Sequence, residues 1–230
     1  MQKISVIIIT KNDEGFVCEI LDKLVLQDNN FFEVIIADRC STDNTLTLVR
    51  NYPVKIVRLD SVCDGLGEAI NFGISNSIGE IIFILSGNTV PISNKYISSG
   101  IRAFETKSVF LSFGDVSNET QKSFLGVFRK PIFKSLGGRR IIAPNEIKNV
   151  DLHSFVVRKS DWLNNPIPEK NLKNYWQWLA KMLKSDKKIF FEPRLGVKTL
   201  GKNKKNIFLK TGVNRQFKDF LRKESNDLFN

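Results

Sequence analysis

The protein has 230 residues, 42% of them hydrophobic, and carries 35 Lys and Arg residues against 24 Asp and Glu residues. These proportions are enough for a buried core and exclude a disordered chain, a collagen-like chain and a disulfide scaffold. The formal net charge of +11 is uneven, because residues 181–230 hold 14 Lys and Arg against 5 Asp and Glu, a net +9. The three cysteines lack metal-ligand spacing and only His153 accompanies them, which argues against a structural zinc site.

The first half of the chain alternates short β-branched runs with amphipathic stretches of helical length. The predicted strands are Ile4–Ile9, Glu33–Ala37, Val54–Leu59 and Glu80–Leu85, and the predicted helices between them are Glu14–Gln27, Ser41–Asn51 and Gly65–Ser77. The first strand is apolar throughout, which is typical of a strand that is buried on both faces. We therefore predict an α/β fold with a mostly parallel central sheet and helices on both faces.

The second half of the chain has a looser alternation. The predicted helices are Tyr96–Phe104 and Tyr175–Lys184, the predicted strands are Val109–Phe113, Val150–Arg158 and Lys188–Glu192, and Gln121–Leu136 is a mixed segment. From Gly201 onward the chain is basic with scattered apolar residues, which predicts a basic C-terminal extension.

No segment of the sequence reaches the roughly 18–20 continuous apolar residues that a membrane-spanning helix needs. The apolar start is also too short for the core of a signal peptide. We therefore expect a cytoplasmic protein. Peripheral contact with the inner face of the membrane stays open, because a basic tail is attracted to anionic lipids.

Four polar clusters follow predicted strands or open the helices after them. They are Thr10–Asp13, Asp38 with Ser41–Asp43, Asn71 with Gly73, and Ser86–Asn88. In an open parallel sheet, ligands bind at the carboxyl ends of the strands, and helix starts there can bind phosphate. The convergence predicts a ligand site at this edge. The alternative for a single cluster is that Asp38 and Ser41 only cap the next helix.

The order and spacing of these clusters resemble the family 2 glycosyltransferases, which have the Rossmann-like GT-A fold. The matching stretches are ISVIIITKNDEG, FFEVIIADRCSTDNT, GLGEAINFGISNSIGEIIFIL and SGNTVP. The resemblance implies inverting transfer of a sugar from a nucleotide-sugar donor to a polysaccharide or lipid-linked acceptor. It divides a GT-A domain of residues 1–200 into a nucleotide-binding half, 1–92, and an acceptor half, 93–200, followed by the tail, 201–230.

The resemblance also implies a set of donor-binding residues. They are Thr10, Asn12, Asp38, Asp43, Asn71 and Asn88. Thr10 and Asp38 are expected at the nucleobase, and Asp43 at the helix start near the phosphates. Asn71 and Gly73 match the Asn-x-Gly that lies beside the nucleotide in the family.

The sequence departs from the family at the acidic Asp-x-Asp triplet that normally holds Mg²⁺ or Mn²⁺ against the donor diphosphate. Ser86-Gly87-Asn88 stands in its place. A hard divalent cation prefers charged oxygen ligands, so Mg²⁺ or Mn²⁺ binding is expected to be weakened and no cofactor is firmly predicted. Arg139, Arg140 and the lysines of the tail are the candidate replacements for the missing positive charge at the diphosphate.

Further departures concern the acceptor half. Asn174 and Tyr175 stand where the family usually has an acidic pair, and Thr199 stands near the place of a metal-binding His. Inverting transfer still needs a base to deprotonate the acceptor hydroxyl, and Glu169 and Asp151 are the candidate catalytic bases. The alternative for each is an ordinary surface carboxylate.

The aromatic residues of the acceptor half allow two interpretations. Trp162, Tyr175, Trp176 and Trp178 either form a platform on which acceptor sugars stack or pack in the core. The lone His153 is interpreted as structural rather than catalytic.

Two other functions stay open beside the transferase. The combined loss of the triplet, the acidic pair and the His favours a catalytically degenerate GT-A domain that acts as a binding or scaffolding subunit. Nucleic-acid binding is disfavoured, because the basic tail lacks an interleaved pattern of stacking aromatic residues. The expected partners are therefore a nucleotide-sugar donor, a glycan or lipid-linked acceptor, and an anionic membrane surface.

Overall fold

The computed structural model describes residues 3–59, 65–118, 138–143, 146, 150, 152–168 and 175–201. The predicted mixed segment Gln121–Leu136 and the basic tail from residue 202 onward lie outside these residues. So do the predicted bases Asp151 and Glu169, together with Asn174.

The described residues form eleven strands. In chain order they are β1 Ile4–Thr10, β2 Glu33–Asp38, β3 Lys55–Arg58, β4 Ile81–Ser86, β5 Thr89–Pro91, β6 Val109–Phe113, β7 Val116–Asn118, β8 Arg140–Ile141, β9 Ser154–Arg158, β10 Lys188–Phe191 and β11 Val197–Thr199. Eight of them form one central sheet in the order β3-β2-β1-β4-β9-β6-β10-β8, and β5-β11-β7 form a small second sheet.

The central sheet is mostly parallel, as predicted. Strands β3, β2, β1 and β4 pair in parallel, and so do β6 and β10. Strand β9 runs antiparallel between β4 and β6, and β8 runs antiparallel to β10 at the edge. Because β1, β2 and β4 are parallel neighbours, the polar clusters that follow them in the sequence meet at one edge of the sheet.

Six helices cover the sheet in the described part of the chain. They are α1 Val17–Val25, α2 Thr45–Val49, α3 Leu66–Ser75, α4 Tyr96–Ala103, α5 Lys159–Asn164 and α6 Tyr175–Lys184. Helices α1 and α4 share one apolar core with Val6 and Ile8 of β1, whereas α3 and α6 share another with Ile7 and Ile9. The prediction of helices on both faces is confirmed. None of these helices is both long and apolar enough to cross a membrane.

Several element boundaries differ from the prediction for a local physical reason. Helix α1 begins at Val17 rather than Glu14, because the carbonyl of Asp13 accepts the N–H groups of Phe16 and Val17 in a tight turn. Helix α2 begins at Thr45 rather than Ser41, because the Ser41 side chain bonds to Asp38 and to the Asn12 N–H, whereas Asp43 accepts the N–H of Thr45, the first helical residue.

Other predictions of length and number were incomplete. The strand expected from Val150 begins only at Ser154. Helix α5 and the short strands β5, β7, β8 and β11 were not predicted, because elements of two to six residues carry too little periodicity to be recognised.

Candidate functional site

The strands β1 and β2 end side by side at Thr10 and Asp38. The two residues are register partners, both are completely buried, and the Thr10 hydroxyl donates to Asp38 Oδ1 over 3.1 Å. The last side chain of β1 therefore holds the last side chain of β2 at the carboxyl edge of the sheet.

The Asp38 carboxylate also organises the turn that follows β2. Ser41 donates to it twice, from its backbone N–H to Oδ2 over 3.0 Å and from its hydroxyl to Oδ1 over 2.5 Å. Arg58 Nε lies 3.7 Å from Oδ2. A carboxylate has about four acceptor positions, so these donors use most of its capacity. Both the turn and the predicted nucleobase site thus depend on one side chain.

The loops after β1 and β2, residues 10–14 and 38–45, are joined by side chains that accept backbone N–H groups from the opposite loop. We call them the paired loops. The bonds are Asn12 N to Ser41 Oγ (3.0 Å), Thr42 N to Asn12 Oδ1 (2.8 Å), Asp13 N to Thr45 Oγ1 (2.8 Å), Glu14 N to Asp43 Oδ2 (3.1 Å) and Asn44 N to Glu14 Oε2 (2.8 Å). This reciprocal pattern brings the predicted Asn12 and Asp43 together with Thr10 and Asp38.

Two features of the paired loops show how the sequence produces them. Asn12 has a φ of 57°, in the left-handed region that asparagine tolerates better than most residues. Burial alone would raise the pKa of Asp43, but hydrogen bonds from the Thr45 hydroxyl, the Thr45 N–H and the Glu14 N–H hold that pKa below its usual value. Asp43 therefore stays ionised within the loop.

Asp13 belongs to the predicted Thr10–Asp13 cluster but was not among the predicted donor-binding residues. Its Oδ2 accepts the Lys11 N–H over 2.9 Å and lies against Gly87, where an added Cβ would come within 2.1 Å of it. Burial raises the pKa of Asp13 to about 6, although the Lys11 N–H lowers it, and Asp43 raises it further. In the sequence, the signal that could have identified Asp13 was a carboxylate after β1 together with a glycine, Gly87, directly after β4.

The residues after β4 form a neutral turn at the same edge. Gly87 N donates to Ile9 O over 2.8 Å, and the Ser86 hydroxyl donates to Asn88 Oδ1 over 3.0 Å. Leu200 N donates to Asn88 O over 2.7 Å. The turn therefore packs beside β1, and the side-chain oxygen of Asn88 already accepts a hydrogen bond.

This turn is a poor match for a hard divalent cation. Ser86 and Asn88 offer only neutral oxygens, and the Thr199 hydroxyl, near the expected His position, donates to Ser117 O over 3.2 Å. Within the described ranges there is also no group of three or more His, Cys, Asp or Glu residues arranged to hold a metal ion.

Asn71 does not join the paired loops through its side chain. Its Oδ1 accepts the Trp162 indole N–H over 2.9 Å, and its Nδ2 donates to Ile167 O over 3.0 Å. Both ends of the amide therefore bind the acceptor half of the chain. The expected contact between Asn71 and a nucleotide stays a prediction.

The large aromatic residues of the acceptor half pack in the core. Trp162, Tyr175 and Trp178 are only 2%, 2% and 6% exposed. The Trp162 and Trp178 rings meet edge to face with centroids 5.1 Å apart, and Trp162 stacks on Phe155 at 5.9 Å. Of the two interpretations, core packing describes these three residues in the structure. The Trp176 side chain lies outside the described residues.

The two arginines predicted at the diphosphate both bind carboxylates of this chain. Arg139 Nε lies 2.5 Å from Oε2 of the buried Glu192, and Arg140 makes a two-pronged contact with Glu146 at 2.5 and 2.6 Å. The Arg140 guanidinium lowers the pKa of Glu146 to about 2. Strand β8, which begins at Arg140, lies four strands away from β4 in the central sheet, and the diphosphate role of both arginines stays a prediction.

His153 lies closer to the site than its place in the sequence suggested. Its backbone carbonyl accepts the Ser86 N–H over 2.9 Å, which continues the antiparallel pairing of β4 with β9. The side chain is buried. The only histidine of the chain therefore lies directly across from the first residue of the Ser86–Asn88 turn.

Comparisons with known proteins place these features in a family. The profile described as glycosyl transferase family 2 matches residues 5–160. The poly(ribitol-phosphate) beta-N-acetylglucosaminyltransferase TarS of Staphylococcus aureus is 34% identical over 94 residues, which are 38% of this chain and 16% of TarS. The match thus spans about a sixth of the length of that relative.

Two further similarities cover more of the chain. The UDP-Glc:alpha-D-GlcNAc-diphosphoundecaprenol beta-1,3-glucosyltransferase WfaP of Escherichia coli is 25% identical over 191 residues, 81% of this chain and 73% of WfaP. The crystal structure of S. aureus TarS 1–349 in complex with UDP-GlcNAc has a TM-score of 0.72 at 19% identity and covers 99% of this chain and 67% of that one. The structural likeness shows the GT-A fold.

Proposed function

Because the chain belongs to glycosyl transferase family 2, we propose that it transfers a sugar from a nucleotide-sugar donor to a polysaccharide or lipid-linked acceptor. The observation that supports this most is the hydrogen-bonded arrangement of the paired loops at the carboxyl ends of β1 and β2, where Thr10 also donates a hydrogen bond to Asp38. Ligands of open parallel sheets bind at such an edge.

The relatives support the choice of substrate class. The name of TarS describes transfer of N-acetylglucosamine to poly(ribitol-phosphate), and the name of WfaP describes transfer of glucose from UDP-Glc to a diphosphoundecaprenol-linked sugar. TarS also binds UDP-GlcNAc in its crystal structure. We infer a uridine nucleotide sugar as the first donor to test and leave the acceptor as a glycan or lipid-linked sugar.

The proposed reaction is a single displacement with inversion. The acceptor hydroxyl attacks the anomeric carbon, its proton passes to a carboxylate, and the bond to the nucleoside diphosphate breaks. Glu169 and Asp151 are the proposed alternatives for the carboxylate, and neither belongs to the described residues. The departing diphosphate needs hydrogen-bond donors or positive charge, since negative charge develops there.

We further propose that this positive charge does not depend on a divalent cation. The neutral oxygens of Ser86 and Asn88 and the hydroxyl of Thr199 support this proposal. Arg139 and Arg140, which pair with Glu192 and Glu146 in this structure, are the proposed source of positive charge from the protein itself. Turnover that persists in EDTA would agree with it, and strict Mn²⁺ dependence would contradict it.

The role of Arg140 has a sharp test, because its partner offers a matched control. If Arg140 binds the diphosphate, Arg140→Ala weakens UDP binding, whereas Glu146→Ala releases the guanidinium and leaves or improves UDP binding. If the pair is only structural, both substitutions change UDP binding to the same extent. Isothermal calorimetry of the two variants distinguishes these results.

The second candidate function is a catalytically degenerate GT-A domain that binds a nucleotide or a partner without turnover. The neutral turn at Ser86–Asn88 and the pairing of both arginines with carboxylates favour it. In that case the paired loops would keep their nucleotide-binding role while the chemistry was lost.

The deciding experiment is calorimetry with UDP-, GDP- and dTDP-sugars, with and without Mn²⁺, followed by measurement of donor hydrolysis. Binding with hydrolysis or transfer supports the enzyme. Binding without turnover, in the presence of glycan and lipid-linked acceptors, supports the degenerate domain. The absence of binding to every nucleotide sugar would contradict both the enzyme and the assignment of the nucleotide site to the paired loops.

A further inference from the structure

Asn71 lies on α3 in the nucleotide half, yet its side chain contacts the acceptor half. The indole N–H of Trp162, on α5, donates to Oδ1 over 2.9 Å, and Nδ2 donates to the carbonyl of Ile167 over 3.0 Å. The partners lie 91 and 96 residues away in the sequence. One side chain therefore joins two distant parts of the chain.

The chemistry of the partners determines the orientation of the amide. An indole N–H can only donate and a backbone carbonyl can only accept, so the Asn71 oxygen must face Trp162 and its nitrogen must face Ile167. Neither a carboxylate nor an aliphatic side chain of the same size can make both bonds. Asparagine is thus the shortest side chain that satisfies this position.

The Asn165–Pro168 segment, which Asn71 contacts, is neither helix nor strand and has no regular hydrogen-bond pattern to fix its position. In the sequence Asn165-Pro166-Ile167-Pro168, the prolines lack an N–H group, and each disfavours helical backbone in the residue before it. Two of its carbonyls instead accept hydrogen bonds from side chains. Asn71 supplies one to Ile167, and the Trp178 indole supplies another to Asn165 O over 2.7 Å.

The other side of α3 is held closely against the sheet. A Cβ added to Gly73 would come within 2.7 Å of the Ile7 side chain of β1, so only glycine permits this approach. Helix α3 is therefore in direct contact with the strand that ends at Thr10. The path from Ile7 through α3 and Asn71 to Ile167 connects the paired loops with the Asn165–Pro168 segment.

We propose that Asn71 is a positioning residue for the acceptor side of the reaction and not a ligand of the nucleotide. Its amide sets the place of the Asn165–Pro168 segment and of Trp162 relative to the donor-binding edge. The proposal rests on the transferase function proposed above. It gives Asn71 a different role from the nucleotide contact that the motif implied.

The test compares Asn71→Asp with the matched control Asn76→Asp. Asn76 lies at the end of the same helix, and its Nδ2 donates only within that helix, to Phe72 O over 3.0 Å. Asn71→Asp keeps an acceptor for Trp162 but loses the donor to Ile167. Three quantities are measured: the Kd of UDP, the kcat and donor KM of UDP-sugar turnover, and the NMR signals of the tryptophan indole N–H groups.

We expect Asn71→Asp to change the Trp162 indole signal and to leave the Kd of UDP and the donor KM within about twofold. The kcat should fall by about 10- to 100-fold, because a misplacement of about 1 Å can cost about 10²-fold in rate. Asn76→Asp should change none of the three quantities. Trp162→Phe, which removes the indole donor but keeps an aromatic ring in the core, serves as a second variant and should lower kcat in the same way.

The contrary results are distinct. A Kd of UDP that weakens tenfold or more in Asn71→Asp, with an unchanged Trp162 signal, makes Asn71 a nucleotide ligand and overturns the proposal. Unchanged kcat in both Asn71→Asp and Trp162→Phe overturns it as well. If the unsubstituted protein neither binds UDP nor turns over a UDP-sugar, the transferase function fails first, and the proposal fails with it.

Discussion

The paired loops and the aromatic cluster under α5 and α6 are ordered by different interactions. In the paired loops, short polar side chains such as Ser41 and Thr45 accept N–H groups from the opposite loop. In the aromatic cluster, formed by Phe110, Phe155, Trp162 and Trp178, rings pack with centroids 5.1 to 5.9 Å apart. One region is built from hydrogen bonds between two loops and the other from buried apolar area.

This difference suits the two regions to different roles. The paired loops combine buried polar residues such as Thr10 and Asp38 with exposed ones such as Asn12 and Thr42, so they present donors and acceptors at the sheet edge. The only donors on the rings of the aromatic cluster are the indole N–H groups, which bond within the protein, and the cluster resists deformation because interiors are closely packed. The first region is suited to bind a ligand, and the second to hold the acceptor side in position. Helix α3 connects the two, because it packs on β1 at Gly73 and bonds to Trp162 through Asn71.

The largest effect is expected in the aromatic cluster. Trp162→Ala leaves a large cavity and removes the donor to Asn71, so the free energy of unfolding should fall by about 3–5 kcal/mol. The neighbouring Leu163 is 55% exposed and serves as the control, for which Leu163→Ala should have a small effect. Urea denaturation of both variants measures the difference. Equal losses in the two variants would contradict the placement of Trp162 in the core.

A smaller effect is expected where the paired loops meet the turn after β4. Gly87→Ala places a methyl group against the Asp13 carboxylate and should lower the free energy of unfolding by about 1–3 kcal/mol. Gly138, whose added Cβ would meet nothing within 4 Å, provides the control substitution to alanine.

The contact with Asp13 can be isolated by a double-mutant cycle. Asp13→Ala opens the space that the new methyl group needs, so Gly87→Ala should cost less in that background. If Gly87→Ala lowers the free energy of unfolding by the same amount with and without Asp13, the two residues are not in contact. That result would contradict the packing of the turn after β4 against Asp13.

The smallest effects are expected in the pH dependence of stability, where Asp13 of the paired loops and Glu146 beside Arg140 should have opposite signs. The pKa of Asp13 is raised to about 6, so the folded state holds this proton more tightly than the unfolded chain, where the pKa is near 3.8. The stabilisation that Asp13 adds to the free energy of unfolding is fully present below about pH 3.8. It is lost as the pH rises through about 6. The pKa of Glu146 is lowered from 4.5 to about 2, so its contribution is present above about pH 4.5 and is lost as the pH falls through about 2.

These signs are measurable by comparing unfolding free energies across the pH range. Asp13→Asn should be more stable than the unsubstituted protein above pH 6, and this gain should shrink below pH 4. Glu146→Gln should be less stable at neutral pH, and that loss should shrink as the pH falls toward 2. A difference that does not vary with pH in either variant would contradict the corresponding pKa shift.

The parts of the fold that could be predicted from the sequence are those with a strong local pattern. The apolar run of β1 and the helical periodicity of α6 were each recognised close to their observed bounds. The convergence of Thr10 and Asp38 followed from parallel strands alone. Helix α2 was predicted to begin too early because Ser41, a residue type that often caps helices, bonds to Asp38 and Asn12 instead, and the helix begins only at Thr45, whose N–H bonds to Asp43.

The contacts that could not be predicted join residues far apart in the sequence. Trp162 meets Asn71 across 91 residues, and no local pattern records that distance. The contact between Asp13 and Gly87 likewise depends on the packing of the turn after β4 against the loop after β1. The ion pairs of Arg139 with Glu192 and of Arg140 with Glu146 also could not be predicted, because the charges in the sequence do not show which residues pair.

The central claim is that a nucleotide binds where β1, β2 and β4 end. His153 is the only histidine of the 230 residues, and its backbone carbonyl accepts the Ser86 N–H at that edge, so a single, assignable set of imidazole signals comes from a residue beside the proposed site. In a protein without a histidine tag, saturating UDP should shift the His153 imidazole resonances. Ribose 5-phosphate, which lacks the uracil base, should leave them unchanged at the same concentration. UDP binding by calorimetry without any shift at His153, or no UDP binding at all, would contradict the claim.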